Sequence, residues 1–572
     1  MNIKKRLLCI DFLKNLNSSH TGKVEFNSHT NVLKNFLKLN IGDLYSQDKK
    51  ENFYNNQYLN KLRLKIFPIL YKKLNKFHKI NNNSKYWEVI MTPWLIYFLD
   101  KTFHKYQVLE EIIKKNKDLL YVYDYNNKKP IIPTNYEMLD DIYNSNEWDY
   151  LINIELIKNI FNKKVKKINK KNFFFENLIN QQISKYSKTY FFEDRFNSFI
   201  NKFDKVVFFK GQFGIKDLAV LNLNFLQLSN KYKIKYTKEL VNLNTERENT
   251  TLKYDYQNNF EKYLGNNIFK HLPTFLLEQF NYYNKSYESH MPKNPKIIFN
   301  TNSLWWNTLL MFYTANVILK ENTKLITYQH GCNYGLYDSL LDEHEIKISN
   351  IFLTWGWYKN KKTKKLGINK TFHKPKQGDR ILVINRTNKR FFFNDPSYYD
   401  DITWYNYLND LLKFPKLLNK DLQNKIVYRM HPGNSWNELS YFKKKLNNIR
   451  FDSQEKLIDE SVASSKILIF TFLNTIFLQC LASNIPVLGI FDFNRCHVSK
   501  KNLKMLNDLK KNKIIFDNYF DLSSHINSNY DNIDNWWYSS TIQKAILKFR
   551  NNHAYYEKNK NYKIIKIIKN LI

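Results

Sequence analysis

Glycine and proline are scarce, at 12 each in 572 residues. That excludes collagen-like and Gly/Pro-rich low-complexity chains. No Gly-rich Walker loop occurs, and no Asp-x-Asp motif stands at a strand end to hold Mg²⁺. Cysteine is rarer still. Cys9, Cys332, Cys480 and Cys496 form no CxxC pair, which leaves no zinc signature and no disulfide framework and fits a reducing compartment. Long apolar runs are missing too. The most apolar stretch, 466–493, is interrupted by Asn474, Gln479, Asn484 and Pro486. It reads as strand, turn, helix and strand, not as a membrane span. The apolar run within 1–13 is too short and interrupted for a secretory signal, lacks a small-residue cleavage site, and reads as a first strand. There is no internal repeat.

What is present is lysine. Of 90 basic residues 79 are Lys and 11 are Arg, against 52 acids, for a formal net charge of +38. Such a charge ordinarily suggests nucleic acid or anionic membrane. Asn, Ile, Tyr and Phe are inflated together with Lys, and these are the amino acids of AT-rich codons. A solvated Lys-rich surface therefore accounts for most of the charge. No nucleic-acid partner is expected, and a polybasic face toward anionic lipid or polymer is the alternative. With 43% hydrophobic and 16% aromatic residues the composition is globular, and the length suits two or three domains. Because Arg is rare, its placement carries information. Arg380, Arg386, Arg390 and Arg429 fall in one short region, and Arg suits bidentate phosphate binding.

The first 80 residues are polar and Lys/Asn-rich after the opening strand. A long helical pattern runs over 86–116 with a kink expected at Pro93, 119–125 reads as a strand, and 126–200 is mixed and mostly helical. From about 204 the pattern becomes regular. Strands are predicted at 205–209, 296–300, 324–328 and 351–355, then at 380–385, 425–430, 465–470 and 486–490. Helices are predicted between them, at 304–320, 404–418, 436–447, 455–463 and 474–483. Thr301, Asn302 or Ser303 would cap the helix from 304. Short β-rich runs alternating with helices mean parallel sheets covered on both faces. The expected class is α/β with two Rossmann-like domains and a helical N-terminal elaboration. Residues 1–358 form the first domain, with a helical insertion at about 86–200. Residues 380–535 form the second, and a helical tail at 536–572 packs back on the first.

In open α/β sheets ligands bind beyond the carboxyl ends of the strands, so four strand ends draw notice. Gln329-His330-Gly331 places an imidazole where it would take a proton from a hydroxyl, or serve as a structural turn. Residues 385–390 carry Arg386, Lys389 and Arg390, an anion clamp or a solvated basic loop. Arg429-Met430-His431-Pro432-Gly433-Asn434 is a rigid turn that either directs an imidazole to a ligand or merely reverses the chain. Thr471-Phe472-Leu473-Asn474-Thr475 opens a helix. Thr471 or Asn474 would cap it, and its N-terminus is also a natural phosphate site. The last three share one sheet and one ligand type, a phosphate held without metal or cofactor. The ligand they suit is a nucleotide-activated donor whose leaving phosphate is stabilised by Arg386, Arg390, His431 and the helix near Asn474. His330 would face it from the other domain.

QHG at 329–331 with Tyr334-Gly335, ISNIFLTWGW at 348–357, RMHP at 429–432 and the TFLNT-to-NIPVLG block at 465–489 resemble a transferase family of bacterial O-antigen and surface-polysaccharide loci. The stretch 86–103 resembles that family's N-terminal helical element. The His-Gly and His-Pro pair is also similar to CDP-glycerol glycerophosphotransferases and to Kdo and sialic acid transferases, which are metal-independent and of the GT-B type. The resemblance implies that His431 contacts the donor phosphate, that Thr471, Asn474 and Thr475 line that site, and that His330 is a candidate base. The clustered arginines Arg386, Arg390 and Arg429 join the expected donor site on their own chemistry. Many GT-B enzymes hold the donor ribose with a Glu where this chain has Gln479, which favours a CMP- or CDP-linked donor.

The resulting expectation is a cytoplasmic glycosyltransferase. It would move a sugar, Kdo or another nonulosonic acid among the candidates, from a nucleotide-activated donor to a glycan or lipid-linked acceptor. The Lys-rich faces would permit peripheral contact with the inner membrane. A CDP-alcohol phosphotransferase would use the same geometry. A non-enzymatic basic binding protein would leave the Arg and His strand ends unexplained.

Overall fold

Apolar β-rich runs punctuated by helices give three parallel sheets, as such alternation requires. The computed structural model describes residues 6–9, 24–26, 49–115, 120–125, 131–162, 165–170, 203–209, 213–227, 241–288, 291–320, 322–332, 334–337, 340–373, 378–388, 401–431, 438–453, 455–491, 493 and 498–572. The first sheet holds β1 (Arg6–Cys9), β2 (Val24–Phe26), β3 (Leu120–Tyr125) and β4 (Val165–Lys170) in the order β2-β1-β3-β4. The second holds β5 (Val206–Phe208), β6 (Ile297–Asn300), β7 (Lys324–Tyr328), β8 (Ile351–Thr354) and β9 (Thr363–Lys365) in chain order.

Two features of this half were not legible. Its strands belong to two sheets rather than one. β9 also lies past the boundary expected at residue 358, so the second sheet runs on to Lys365. That strand reads TKK, with both lysines exposed. An edge strand built of charge blocks further pairing and carries no hydrophobic signature. The helix expected from 304 is two helices, Ser303–Trp306 and Thr308–Leu319. Asn302 holds the N-cap position of the first without a side-chain hydrogen bond, and the cap on the second is Asn307, whose side chain accepts from Leu310 N at 2.9 Å.

Helices Ser84–Lys115 and Thr308–Leu319 pack with Lys49–His78 into a layer on one face of the second sheet, where Val207, Phe209, Ile298 and Leu325 meet them. Lys49–His78 lies in the stretch that reads as polar sequence. Its buried residues Leu59, Leu62, Ile66, Leu70 and Leu74 recur at three- and four-residue steps, a stripe diluted by the Lys and Asn around it. The alternate strand residues Val206, Phe208, Ile297, Phe299, Ile326 and Tyr328 belong to the core on the opposite face, together with Leu221 and the tail's Ile564, Ile565 and Ile568. Period-two alternation thus sends each strand's side chains to two separate apolar layers.

The third sheet holds β10 (Arg380–Ile384), β11 (Ile426–Arg429), β12 (Arg450–Phe451), β13 (Ser465–Phe470), β14 (Val487–Ile490) and β15 (Ile515–Phe516), in the order β12-β11-β10-β13-β14-β15. Counted within this sheet the order is third, second, first, fourth, fifth, sixth. The direction of winding reverses between β10 and β13, and such a reversal opens a crevice at the carboxyl ends of those strands. Helices Ser540–His553 and Lys560–Lys569 then carry the chain back to the second sheet. Tyr555 N donates to Trp355 O at 2.9 Å, Ile368 N to Tyr555 O at 2.7 Å, and Asn561 Nδ2 to Asp217 Oδ1 at 2.8 Å. Among the described residues no helix is long and apolar enough to cross a membrane.

Candidate active site

Register brings the strand ends of the third sheet together. Ile384 pairs with Arg429 on one side and with Phe470 on the other, so the residues that follow emerge side by side at the reversal. Arg386 is buried, its guanidinium stacks 5.2 Å from the centre of the Phe472 ring, and its backbone N donates to the Tyr407 hydroxyl. Stacking on an aromatic face orients a guanidinium, and the Arg386 Nε also donates to Thr387 O at 3.5 Å. His431 lies within reach of that charge. Burial first, and Arg386 second, hold its imidazole below the ordinary value. A neutral His431 beside Arg386 offers a hydrogen bond where the arginine offers charge.

Thr471 accounts for its hydroxyl locally. It donates to Ile384 O at 3.1 Å and shares a 2.6 Å bond with the Tyr407 hydroxyl. Thr471 and Tyr407 therefore brace the Arg386 turn from behind. Asn474 caps the helix Thr475–Ala482, its Oδ1 accepting from Phe477 N at 2.8 Å. Capping satisfies that N–H and leaves the other first-turn N–H groups as the positive end of the helix. Thr475 Oγ1 accepts from Cys332 N at 3.2 Å, and the Cys332 thiol donates to Leu473 O. The His-Gly loop after β7 is thereby fastened to the phosphate-suited turn after β13. Cys332 supplies both contacts, one from its backbone N–H and one from its thiol.

Within the His-Gly loop, Gln329 is buried and structural. It donates to Gly331 O at 2.8 Å and accepts from Trp355 N and the Trp357 indole. His330 is half-buried, with the Tyr334 hydroxyl 3.2 Å from Nδ1. Desolvation depresses its imidazole to about 4, against a smaller opposing pull from the Thr301 backbone. It is therefore neutral at neutral pH. Near the Tyr334 hydroxyl lies Glu345, a buried carboxyl whose Oε1 accepts from the Trp305 indole at 2.7 Å and whose Oε2 has no hydrogen-bond partner. Burial raises Glu345 to about 8, with Tyr334 and Trp305 favouring its charged form in part. Sequence reading overlooked Glu345. The signal available was its spacing from Leu341 and Ile348 on the helix Leu340–Ile348, which puts an acid on an apolar face.

Not every expected residue joins the site. Arg429 departs from expectation. Its guanidinium is committed to Asp452, Ser461 Oγ at 2.9 Å and Lys456 O at 2.7 Å, on the far side of β11. A strand alternates its side chains, and the ion pair at the end of β12 claims this one. Gln479 donates to Asn369 in the chain that links the second and third sheets. Arg390, Lys389 and the Pro432-Gly433-Asn434 turn lie outside the described residues. Among the described residues no group of three or more His, Cys, Asp or Glu comes together as a metal site.

The chain belongs to the LIC12162 family transferases, matching that family over residues 27–568. No curated protein matches it. Among solved structures it is similar to the wall teichoic acid polymerase TagF with CDPG, at 13% identity over 48% of this chain and 72% of that one, with a TM-score of 0.27. It is also similar to S. aureus MnaA with UDP, at 10% identity over 80% of this chain and 98% of that one, with a TM-score of 0.34. MurG from Acinetobacter baumannii is 11% identical over 52% of this chain and 80% of that one, with a TM-score of 0.30. Scores this low decide neither the layout nor the chemistry of this chain.

Proposed function

We propose that this member of the LIC12162 transferase family moves a sugar from a nucleotide-activated donor to a surface-glycan acceptor. One observation carries the reading. Arg386, His431 and the N-terminus of the helix Thr475–Ala482 gather at the strand-order reversal of the third sheet, with the His330 loop hydrogen-bonded to that helix from the other lobe. A leaving phosphate develops charge as its bond to the sugar breaks. A buried guanidinium, a neutral imidazole and free helix N–H groups stabilise that charge without reorganising. His330, neutral at working pH, stands ready to accept the proton of the incoming hydroxyl. A cytidine-linked donor, CMP-linked Kdo or another nonulosonic acid among them, is the donor class that the likeness of the His-Gly and His-Pro elements favours.

Thermal melting with CMP, CDP, UDP and GDP tests the donor site, because a ligand of the folded state raises the midpoint. CMP or CDP is expected to do so, Arg386→Ala and His431→Ala are expected to abolish the shift, and His330→Ala to retain the shift but lose transfer. The reading fails if no nucleotide shifts the midpoint and His431→Ala transfers sugar normally. Mass analysis after incubation with CMP-sugars or CDP-glycerol separates glycosyl from phosphoglycerol transfer.

A further inference from the structure

Three groups behind His330 have no part in that scheme: Tyr334, Glu345 and Trp305. The Tyr334 hydroxyl lies 3.2 Å from His330 Nδ1 and near Glu345, whose Oε1 accepts from the Trp305 indole at 2.7 Å and whose Oε2 is buried with no hydrogen-bond partner. Glu345 is almost wholly buried, with 1% of its surface exposed, in a helix that runs past the His-Gly loop. We propose that Glu345 is the positioning residue that sets which nitrogen of His330 carries its proton, acting through the Tyr334 hydroxyl, and that it takes up the proton released by the acceptor. This rests on the reading of His330 as the base.

The hydrogen-bond directions follow from the donors available. When Glu345 is a carboxylic acid it donates to the Tyr334 oxygen, Tyr334 donates to His330 Nδ1, and the ring proton sits on Nε2. When Glu345 is a carboxylate, Tyr334 turns to donate to it, His330 donates from Nδ1 to the Tyr334 oxygen, and Nε2 presents its lone pair. Only the second arrangement accepts a proton at Nε2. The acceptor oxygen then bonds to the anomeric carbon while the bond from that carbon to the phosphate oxygen breaks, its electron pair leaving with the phosphate. The hydroxyl proton passes to Nε2, the Nδ1 proton to Tyr334, and the Tyr334 proton to Glu345. One carboxylate becomes one carboxylic acid, and the imidazole ends neutral. The arrangement answers a physical difficulty. An imidazole depressed to about 4 is a weak base, whereas the carboxyl behind it, raised to about 8, holds a proton well.

Among the described residues the charged groups around the relay are few. Asp342, on the same helix and itself raised to about 7 mainly by burial, adds negative charge near Glu345, and Lys359 opposes it from the loop after β8. Glu343 stands beside Asp342 on that helix. His344 and Lys347 turn toward Glu88, and Arg63 faces His344. The Thr301 backbone meets the His330 ring from the end of β6.

The full chain labelled with ¹⁵N-histidine reads the tautomer directly by long-range proton–nitrogen correlation, with His330 assigned by its loss in His330→Gln. Between pH 6 and 10 the wild-type ring is expected to stay neutral while its proton moves from Nε2 to Nδ1, with a midpoint near 8. Glu345→Gln is expected to hold the proton on Nε2 throughout. Its amide oxygen stays with Trp305, and its amide N–H faces Tyr334 as the acid does. Tyr334→Phe, a deletion of one oxygen, is expected to uncouple His330 from pH in that range, with circular dichroism confirming the fold of both variants. One unchanging tautomer in the wild type overturns the proposal, and so does the same transition persisting in either variant. Sugar transfer that survives His330→Ala instead overturns the base assignment and leaves the tautomer measurement standing.

Discussion

Arg386 and Arg429 stand at neighbouring strand ends, and their surroundings give them opposite duties. Arg386 stacks on Phe472 beside His431, whereas Arg429 closes an ion pair with Asp452, a carboxylate 6% exposed. Removing one partner of such a pair strands the other charge, at a cost of about 3 kcal/mol. Arg429→Ala is therefore expected to lower the stability read from urea titration by that amount while keeping the nucleotide-induced thermal shift, and Arg386→Ala to lose the shift. Glu345 gives a second prediction. Its carboxyl is raised to about 8 in the fold against about 4.3 in an unfolded chain. Between those values the folded state binds the extra proton, so its contribution to stability declines as pH rises through that window. Glu345→Gln keeps the neutral shape. Its melting temperature relative to wild type is expected to climb between pH 5 and pH 8.5, and a constant difference would contradict the assignment.

At the scale of single elements, the helix Thr475–Ala482 joins stability to binding. Asn474 closes its first turn, and losing such a cap costs about 1 kcal/mol. Asn474→Ala is expected to lower stability by about that much in urea titration. Asn474→Asp keeps the cap but sets a negative charge where a phosphate would rest. It is expected to hold the urea midpoint and shrink the nucleotide-induced thermal shift, so the two variants separate capping from ligand binding. The His-Gly loop depends on the same helix through Thr475, and a disturbance there reaches both lobes.

Across the whole molecule, the tail is a structural strap. Ile564, Ile565 and Ile568 enter the core beneath the second sheet, and each buried side chain of this size contributes about 1.5–3 kcal/mol. The chain passes so close at two turns that only glycine fits. Gly356 has φ +137°, and a Cβ there would stand 2.8 Å from Asn551 O. Gly367 has φ +114°, and a Cβ there would stand 2.9 Å from Tyr555 O. Gly367→Ala brings both backbone strain, about 1–3 kcal/mol, and a clash with the strap. It is expected to lower the melting temperature and to open the tail to limited proteolysis after Trp537. A wild-type cleavage pattern would contradict this role.

Alternating hydrophobicity and strand-end polarity in the sequence established the α/β class, the four inner strands of the third sheet and the candidacy of Arg386, His431, Asn474 and His330. These are local properties, since a strand's period and a cap's chemistry are written within a few residues. In the first sheet β1 and β3 were legible, but β2 and β4, the edge strand β9 and the helix Lys49–His78 were not, because Lys- and Asn-rich segments hide short apolar stripes. Tertiary structure alone decided which Arg faces the cleft, because neighbouring strand ends send alternate side chains to opposite faces and a distant Asp452 claims one of them. It alone set Glu345 behind Tyr334 and His330. Long-range packing removes water from a carboxyl, and no spacing in the chain records how much water is removed.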